Sequence, residues 1–230
     1  MVSELYLIAY YLPTALFSLK DSQATNAAAK TLLVPSPYAV KMALLDAAIH
    51  WRGLVFTKRV FEWIKTISIR AAPPRHVAVS NTFVKIQRPP KKPKPGEPLS
   101  ATVAFREYAH LQGEFALGFE VAALEKTQLD QLQELLLRIN YFGKRGCFFQ
   151  FLRTEWHETL GLEFTFTTGD ARPFGPGVTQ YLDDFGVAMT WEMADTFDKT
   201  RPQRETTAAL IPLSPVRSSR GSTLYRRTDE

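Results

Sequence analysis

Cysteine, histidine and long apolar runs are all scarce in this sequence of 230 residues. The single cysteine, Cys147, excludes an internal disulfide and a cysteine-rich zinc site. The four histidines are scattered and show no metal-ligand spacing. The sequence therefore predicts neither a metal nor another cofactor, and its lack of paired cysteines suits a reducing cytoplasm.

The most apolar stretch, residues 5–19, is shorter than the roughly 20 residues that cross a bilayer. It also lacks the basic region that precedes the apolar part of an export signal, because Glu4 is the only charged residue before Lys20. We therefore predict a buried strand here. No other stretch is long and apolar enough to cross a membrane, so we expect no membrane partner and a cytoplasmic location.

The overall composition allows a folded core and favours an acidic partner. Hydrophobic residues make up 45% of the chain, which excludes general disorder. The net charge is +5 and the sequence pI is about 9.3, a balance that favours nucleic acid or another acidic partner.

The spacing of apolar residues predicts an α+β protein. Proline after Ser36 marks the entry to the first helix, and Leu129, Leu132 and Leu136 lie on one face of the last. We predict strands at residues 4–11, 67–71, 77–86, 102–110, 113–122 and 147–152, and helices at residues 38–49, 55–63 and 125–139. This order is that of a ferredoxin-like domain, also called RRM-like, over residues 1–153, with a hairpin inserted before its second helix.

The remaining third of the chain is predicted to be simpler. Strand-like runs at 162–168 and 187–191 indicate a small β-rich extension over residues 154–198. Residues 199–230 are polar and rich in arginine, and we predict a basic tail there.

A lysine- and proline-rich segment is the first candidate binding element. It lies in the proposed insertion at about residues 84–102, and prolines keep it extended. No acidic residue interrupts its five cations, which are Lys85, Arg88, Lys91, Lys92 and Lys94. Such an arm is typical of binding to a phosphate backbone, although it could also dock on an acidic protein or serve as a solvated connector.

A glycine-containing turn before the last ferredoxin strand is the second candidate. Its two glycines permit positive φ angles, so that neighbouring amides can bind an anion, while the aromatic residues could stack on a base. It lacks the spacing of a nucleotide-binding P-loop. The predicted RNA-binding residues of this turn are Tyr141, Phe142, Gly143, Lys144, Arg145 and Gly146.

Catalytic groups are weakly indicated. His110 with Tyr108 could serve a metal-independent ribonuclease, with the imidazole as general acid or base. His110 is more simply explained as an ordinary polar residue at a strand end, and the pair Asp183 and Asp184 as a solvated loop. Cys147 sits in an apolar run, which favours a core position over a nucleophile. The sequence therefore predicts no enzyme activity.

Three features together resemble the Cas protein 5 family of the RAMP superfamily, which are subunits of type I CRISPR Cascade complexes. They are the proline-marked segment 34–45 leading into the first helix, the long insertion between strands where that family carries its thumb, and the glycine turn after the second helix. The resemblance covers roughly residues 4–153.

The resemblance implies a non-catalytic subunit that caps the 5′ handle of the CRISPR RNA (crRNA) and contacts target DNA indirectly. It also implies contacts with the backbone subunit and the large subunit of the complex. One branch of the family cleaves precursor RNA with Tyr, Lys and His, but this sequence has no Lys-His pair. Two alternatives remain open: a metal-independent endoribonuclease of the same superfamily, and a scaffolding module that docks acidic proteins.

Overall fold

The structure is a computed structural model. It describes residues 5–23, 30–90, 96, 99–167, 169–170, 175–195 and 197–228. The strands are β1 Tyr6–Pro13, β2 Ile69–Ala72, β3 His76–Arg88, β4 Ser100–Gln112, β5 Phe115–Glu120, β6 Phe149–His157, β7 Phe166–Thr167, β8 Val178–Phe185, β9 Arg204–Ile211, β10 Leu213–Ser218 and β11 Ser222–Arg227. The helices are α1 Pro37–Ile64, α2 Lys126–Arg138 and α3 Trp191–Ala194.

A four-stranded sheet in the order β2-β5-β1-β6 forms the centre of the molecule, and all its neighbouring strands are antiparallel. One face of this sheet carries buried apolar residues at directly paired positions, such as Leu7 with Phe119 and Ala9 with Leu117. These residues share one apolar core with the two long helices. The opposite face is covered by Leu160 and Phe164.

Local signals explain where the long helices begin and bend. Ser36 accepts a hydrogen bond from the amide of Ala39 (3.3 Å), and Pro37 follows at the first helical position. At Gly53 the backbone adopts φ 75°, which breaks α1 into two helical halves. The break that the sequence predicted between residues 49 and 55 is therefore confirmed.

Two further sheets complete the fold. The long strands β3 and β4 pair along their full lengths, from His76–Gln112 to Arg88–Ser100, in a sheet with the order β10-β11-β3-β4. The third sheet has the order β7-β9-β8. The mixture of antiparallel sheets with a few helices confirms the predicted α+β class.

The structure corrects several predictions about the last third. The predicted basic tail, residues 199–230, contributes β9, β10 and β11, because β9 pairs with β8, β11 pairs with β3, and β10 pairs with β11. The predicted strand at 187–191 is a turn followed by α3, since Met189 donates to the carbonyl oxygen of Gly186 (2.9 Å). The predicted boundary between 153 and 154 falls inside β6.

No helix among the described residues is both long and apolar enough to span a bilayer.

Candidate nucleic-acid interface

The glycine turn between α2 and β6 contains two glycines with positive φ angles. Gly143 and Gly146 have φ angles of 72° and 99°, conformations that favour glycine. The turn is closed by hydrogen bonds from the amide of Cys147 to the carbonyl oxygen of Lys144 (3.1 Å) and from the amide of Phe142 to that of Cys147 (3.3 Å). Within the described part of the chain, no hydrogen bond uses the amides of residues 143–146. These amides can therefore receive an anion.

Charged side chains surround these amides. Lys144 and Arg145 are exposed, and neither takes part in an ion pair among the described residues. Tyr141 is half-buried and donates a hydrogen bond from its hydroxyl to Asp46 on α1 (3.3 Å). This bond ties the start of the turn to the first half of α1.

Phe142 was predicted to bind RNA, but its position in the structure contradicts this prediction. Its ring is fully buried and makes edge contacts with Tyr11 (centroids 5.2 Å apart) and Phe149 (4.9 Å). It belongs to the core and cannot stack on a base in this conformation. Tyr11 anchors the same cluster by donating from its hydroxyl to the carbonyl oxygen of Leu136 (2.9 Å), and burial raises its pKa well above the ordinary value.

Grooves lie on both sides of the glycine turn. One, of about 690 Å³, runs between the first half of α1, the turn and α3, and has mostly apolar walls. A second, of about 640 Å³, is lined by aromatic and basic side chains beyond Tyr141. Tyr141 and Arg145 of this second groove were predicted from the sequence, whereas its other residues were not, among them His50, Trp51, Arg138 and Phe148.

The walls of the second groove come from separate elements, which explains why no sequence motif reveals them. The guanidinium carbons of Arg52 and Arg138 lie 4.0 Å and 4.5 Å from the ring centre of Trp51. Arg138 also pairs with Glu134 one helical turn earlier. Phe148 is 48% exposed beside these groups and could contact a flat ligand such as a base.

The β3–β4 hairpin carries the predicted insertion. Lys85 is exposed on β3, opposite Val103. Lys91, Lys92 and Lys94 lie outside the described residues, as does the side chain of Arg88. The contribution of those four cations to binding stays a prediction.

An exposed aromatic pair on the same hairpin was not predicted. Phe83 and Phe105 are directly opposite each other, with ring centres 3.9 Å apart, and are 66% and 42% exposed. Only the register of the hairpin brings them together, because they are far apart in sequence. They present an apolar surface next to Lys85.

Tyr108 and His110 lie on one face of β4, Tyr108 half-buried and His110 exposed. No hydrogen bond joins them within the chain as described. Their placement adds no evidence for catalysis beyond that of the sequence.

The acidic pair, which was expected to be solvated in a loop, lies instead in β8 and has cationic partners. Asp184 contacts Lys41 (2.7 Å), and Asp183 contacts Arg204 (3.4 Å) and the hydroxyl of Thr206 (2.8 Å). Lys41 is buried, and this burial lowers its pKa, although Asp184 opposes the shift. Among the described residues, no group of His, Cys, Asp and Glu side chains could hold a metal ion.

Comparisons with known proteins support the resemblance seen in the sequence. No protein-family model matches the chain. A CRISPR-associated protein Cas5 from Archaeoglobus fulgidus is 31% identical over 93 residues, which are 40% of this chain and 41% of that protein. The chain thus spans less than half the length of the curated relative that it matches.

A solved structure extends the likeness in fold. It is the crystal structure of a CRISPR protein from Archaeoglobus fulgidus, with a TM-score of 0.52 and 10% sequence identity. The superposition covers 97% of this chain and 92% of that one. The chain therefore shares its fold with that CRISPR protein. Its similarity in sequence is to Cas5, and the resemblance to the Cas protein 5 family is confirmed.

Proposed function

We propose that the chain is a non-catalytic RNA-binding subunit of a type I Cascade complex, which caps the 5′ handle of the crRNA. The observation that carries this proposal is the glycine turn. Its unbonded amides lie beside Lys144 and Arg145, and grooves that can receive nucleotides open on both sides of it. A phosphate of the handle would bind the amides and the two cations, and an adjacent base would enter a groove.

The same proposal covers the fold and the partners. The order β2-β5-β1-β6, with α1 after β1 and α2 after β5, supports a ferredoxin-like domain. The β3–β4 hairpin enters between β2 and β5, where a thumb would lie. The backbone and large subunits would be the protein partners, and target DNA would be reached through the guide.

Salt-dependent RNA binding tests the assignment of the turn. The double variant Lys144→Ser/Arg145→Ser removes two cations, and each phosphate contact to a single strand contributes about 0.7 to the slope of log K against log salt. We expect the slope for a short labelled RNA to fall by about 1.4. Fluorescence anisotropy between 50 and 200 mM salt, roughly the range over which such contacts are resolved, measures this.

A matched control removes two exposed cations from elsewhere. Arg59 lies on the second half of α1, and Lys126 begins α2 at the end away from the turn. The variant Arg59→Ser/Lys126→Ser should retain the wild-type slope. Equal slopes for the two double variants would contradict the role of the turn. The absence of measurable RNA binding by the wild-type chain, even at the lowest salt, would favour the scaffolding alternative.

The endoribonuclease remains the second candidate, and its candidate catalytic groups are Tyr108 and His110, which lie on one face of β4. We expect no cleavage of a precursor RNA when a chelator is present. Cleavage that is lost in His110→Ala would replace the non-catalytic assignment.

A further inference from the structure

The second sheet has a face turned away from the core, here called the outer face. Paired residues of an antiparallel ladder point to the same side, so the register defines this face. Val77, Val79, Ala109 and Leu111 are buried on the inner side. Their neighbours in sequence form the outer face: Ser214 and Arg217 of β10, Ser222, Leu224 and Arg226 of β11, His76, Ala78, Ser80 and Thr82 of β3, and Arg106, Tyr108, His110 and Gln112 of β4.

The outer face carries positive charge without compensation. It has three arginines and two histidines, and none of its positions is Asp or Glu. None of the ion pairs among the described residues involves Arg106, Arg217 or Arg226. Other arginines of the chain are neutralised, for example Arg70 by Asp170 and Arg153 by Glu114.

The shape of the outer face suits an extended polymer. Small residues, Ala78, Ser80 and Ser222, occupy its middle. Arg217 on β10 and Arg106 on β4 lie on opposite sides of this strip, and Arg226 lies at its end on β11, opposite His76. Because neighbouring strands are about 4.8 Å apart, the four strands are about 14 Å wide, which leaves room for one nucleic-acid strand along the strip.

The side chains beside the strip favour a nucleic acid over a protein. Tyr108 is half-buried, so part of its ring is accessible for stacking on a base, while the serines and Gln112 can supply hydrogen bonds. A stable protein interface needs an apolar centre, whereas Leu224, 37% exposed, is the one large aliphatic side chain among the outer-face positions.

We propose that the outer face of the β10-β11-β3-β4 sheet is a second binding site, which takes a single-stranded segment of nucleic acid. Its arginines contact successive phosphates, and Tyr108 stacks on a base between them. This proposal does not rest on the glycine turn, which belongs to a different part of the fold, between α2 and β6.

A triple variant of the full chain tests the proposal. Arg106→Ser/Arg217→Ser/Arg226→Ser should lower the salt slope for a fluorescein-labelled 12-nucleotide oligouridine by about 2, from about 0.7 for each lost phosphate contact. Its matched control, Arg59→Ser/Lys126→Ser/Lys199→Ser, also removes three exposed cations and should keep the slope. Replacement of the three arginines by lysine should restore most of the slope, because charge is retained.

Stacking has a separate readout. Tyr108→Leu keeps an apolar side chain but removes the aromatic ring, and it should weaken binding about fivefold or more, even at a salt concentration that suppresses phosphate contacts. An oligodeoxythymidine of equal length distinguishes the two polymers: equal affinity means that phosphates dominate, and a preference for RNA means that the 2′-hydroxyl is read.

Three results would overturn the site. They are equal slopes for the triple variant and its control, wild-type affinity in Tyr108→Leu, and stronger competition by polyglutamate than by unlabelled oligonucleotide, which would indicate an acidic protein partner. Circular dichroism melts check that each variant is folded. If Lys144→Ser/Arg145→Ser lowers the salt slope and the triple variant does not, the proposed function stands and the outer-face site is wrong. If only the triple variant lowers the slope, the outer face is the binding site and the glycine turn is not.

Discussion

Lys41 offers a direct test of how the β7-β9-β8 sheet is held to the rest of the fold. Its side chain is 2% exposed, and its ammonium nitrogen lies 2.7 Å from Asp184 of β8 and 3.0 Å from the carbonyl oxygen of Lys65 at the end of α1. One charged group thereby joins both halves of α1 to β8. The variant Lys41→Met keeps most of the packing volume but removes all of these bonds.

The expected loss of stability follows from the exposure of the partner. Removing one member of a fully buried ion pair costs about 3–5 kcal/mol, because the other charge is left without a partner. Asp184 is 32% exposed, so water can solvate part of its carboxylate in Lys41→Met. We therefore expect a loss of about 2 kcal/mol, which for a chain of this size lowers Tm by about 4–8 °C.

Thermal and urea unfolding followed by circular dichroism measure this loss. The control is Lys65→Met, since Lys65 pairs with an exposed carboxylate, Glu62, and its loss should cost less than about 1 kcal/mol. The double variant Lys41→Met/Asp184→Asn removes both charges and should regain most of the lost stability. Wild-type stability in Lys41→Met, or a double variant no more stable than the single one, would refute this account of the pair.

Further measurements test other parts of the structure. The pKa of Lys41 in the folded chain lies below its ordinary value of 10.5, so between these two pH values the unfolded chain binds more protons than the folded one. The wild type should therefore gain stability relative to Lys41→Met as the pH rises towards 10.5, and urea titrations measure this gain. Phe142→Ala should cost about 3–5 kcal/mol in the same assay, whereas alanine at the half-exposed Phe148 should cost less than about 1 kcal/mol. The variant Gly146→Ala should cost about 1 kcal/mol of stability, because only the positive φ angle is unfavourable there. The variant Gly143→Ala should cost more, because its Cβ would also lie 2.9 Å from a methyl group of Leu19. Equal losses of stability in the two variants would contradict this contact.

Elements with a strong local signal were predictable. Ser36 and Pro37 marked the start of α1, and the leucines of α2 marked its buried face. The two positive φ angles of the glycine turn also follow from residue type. In each case a few neighbouring residues determine the backbone, so no distant contact is needed to read it.

The C-terminal strands were missed because both of their faces are polar at many positions. In β11 the residues Ser222, Leu224 and Arg226 face outwards, and the inward residues Thr223 and Tyr225 are only half-buried. The composition of such a strand resembles that of a solvated tail. Pairing with β3, which lies more than 130 positions earlier in the sequence, supplies the order that local pattern lacks.

The part of the candidate site that is continuous in sequence was predictable, whereas the part that is formed by residues distant in sequence was not. Lys144 and Arg145 were found because the turn is local, whereas Trp51 and Phe148 meet only through the packing of α1 on the turn. Phe142 was assigned to the wrong group for the opposite reason. Its position beside two glycines resembles a binding loop, but the turn directs its ring into the core.

The distribution of charge gives more information about function than the net charge of +5. An arginine that serves only solubility or packing can be paired with an acid, as Arg70 and Arg153 are. At the glycine turn and on the outer face, by contrast, cations without an ion pair among the described residues lie in groups, and like charges that are close together repel one another. Two such clusters on separate parts of the fold should act independently, so the salt slopes lost in their variants should add when the variants are combined.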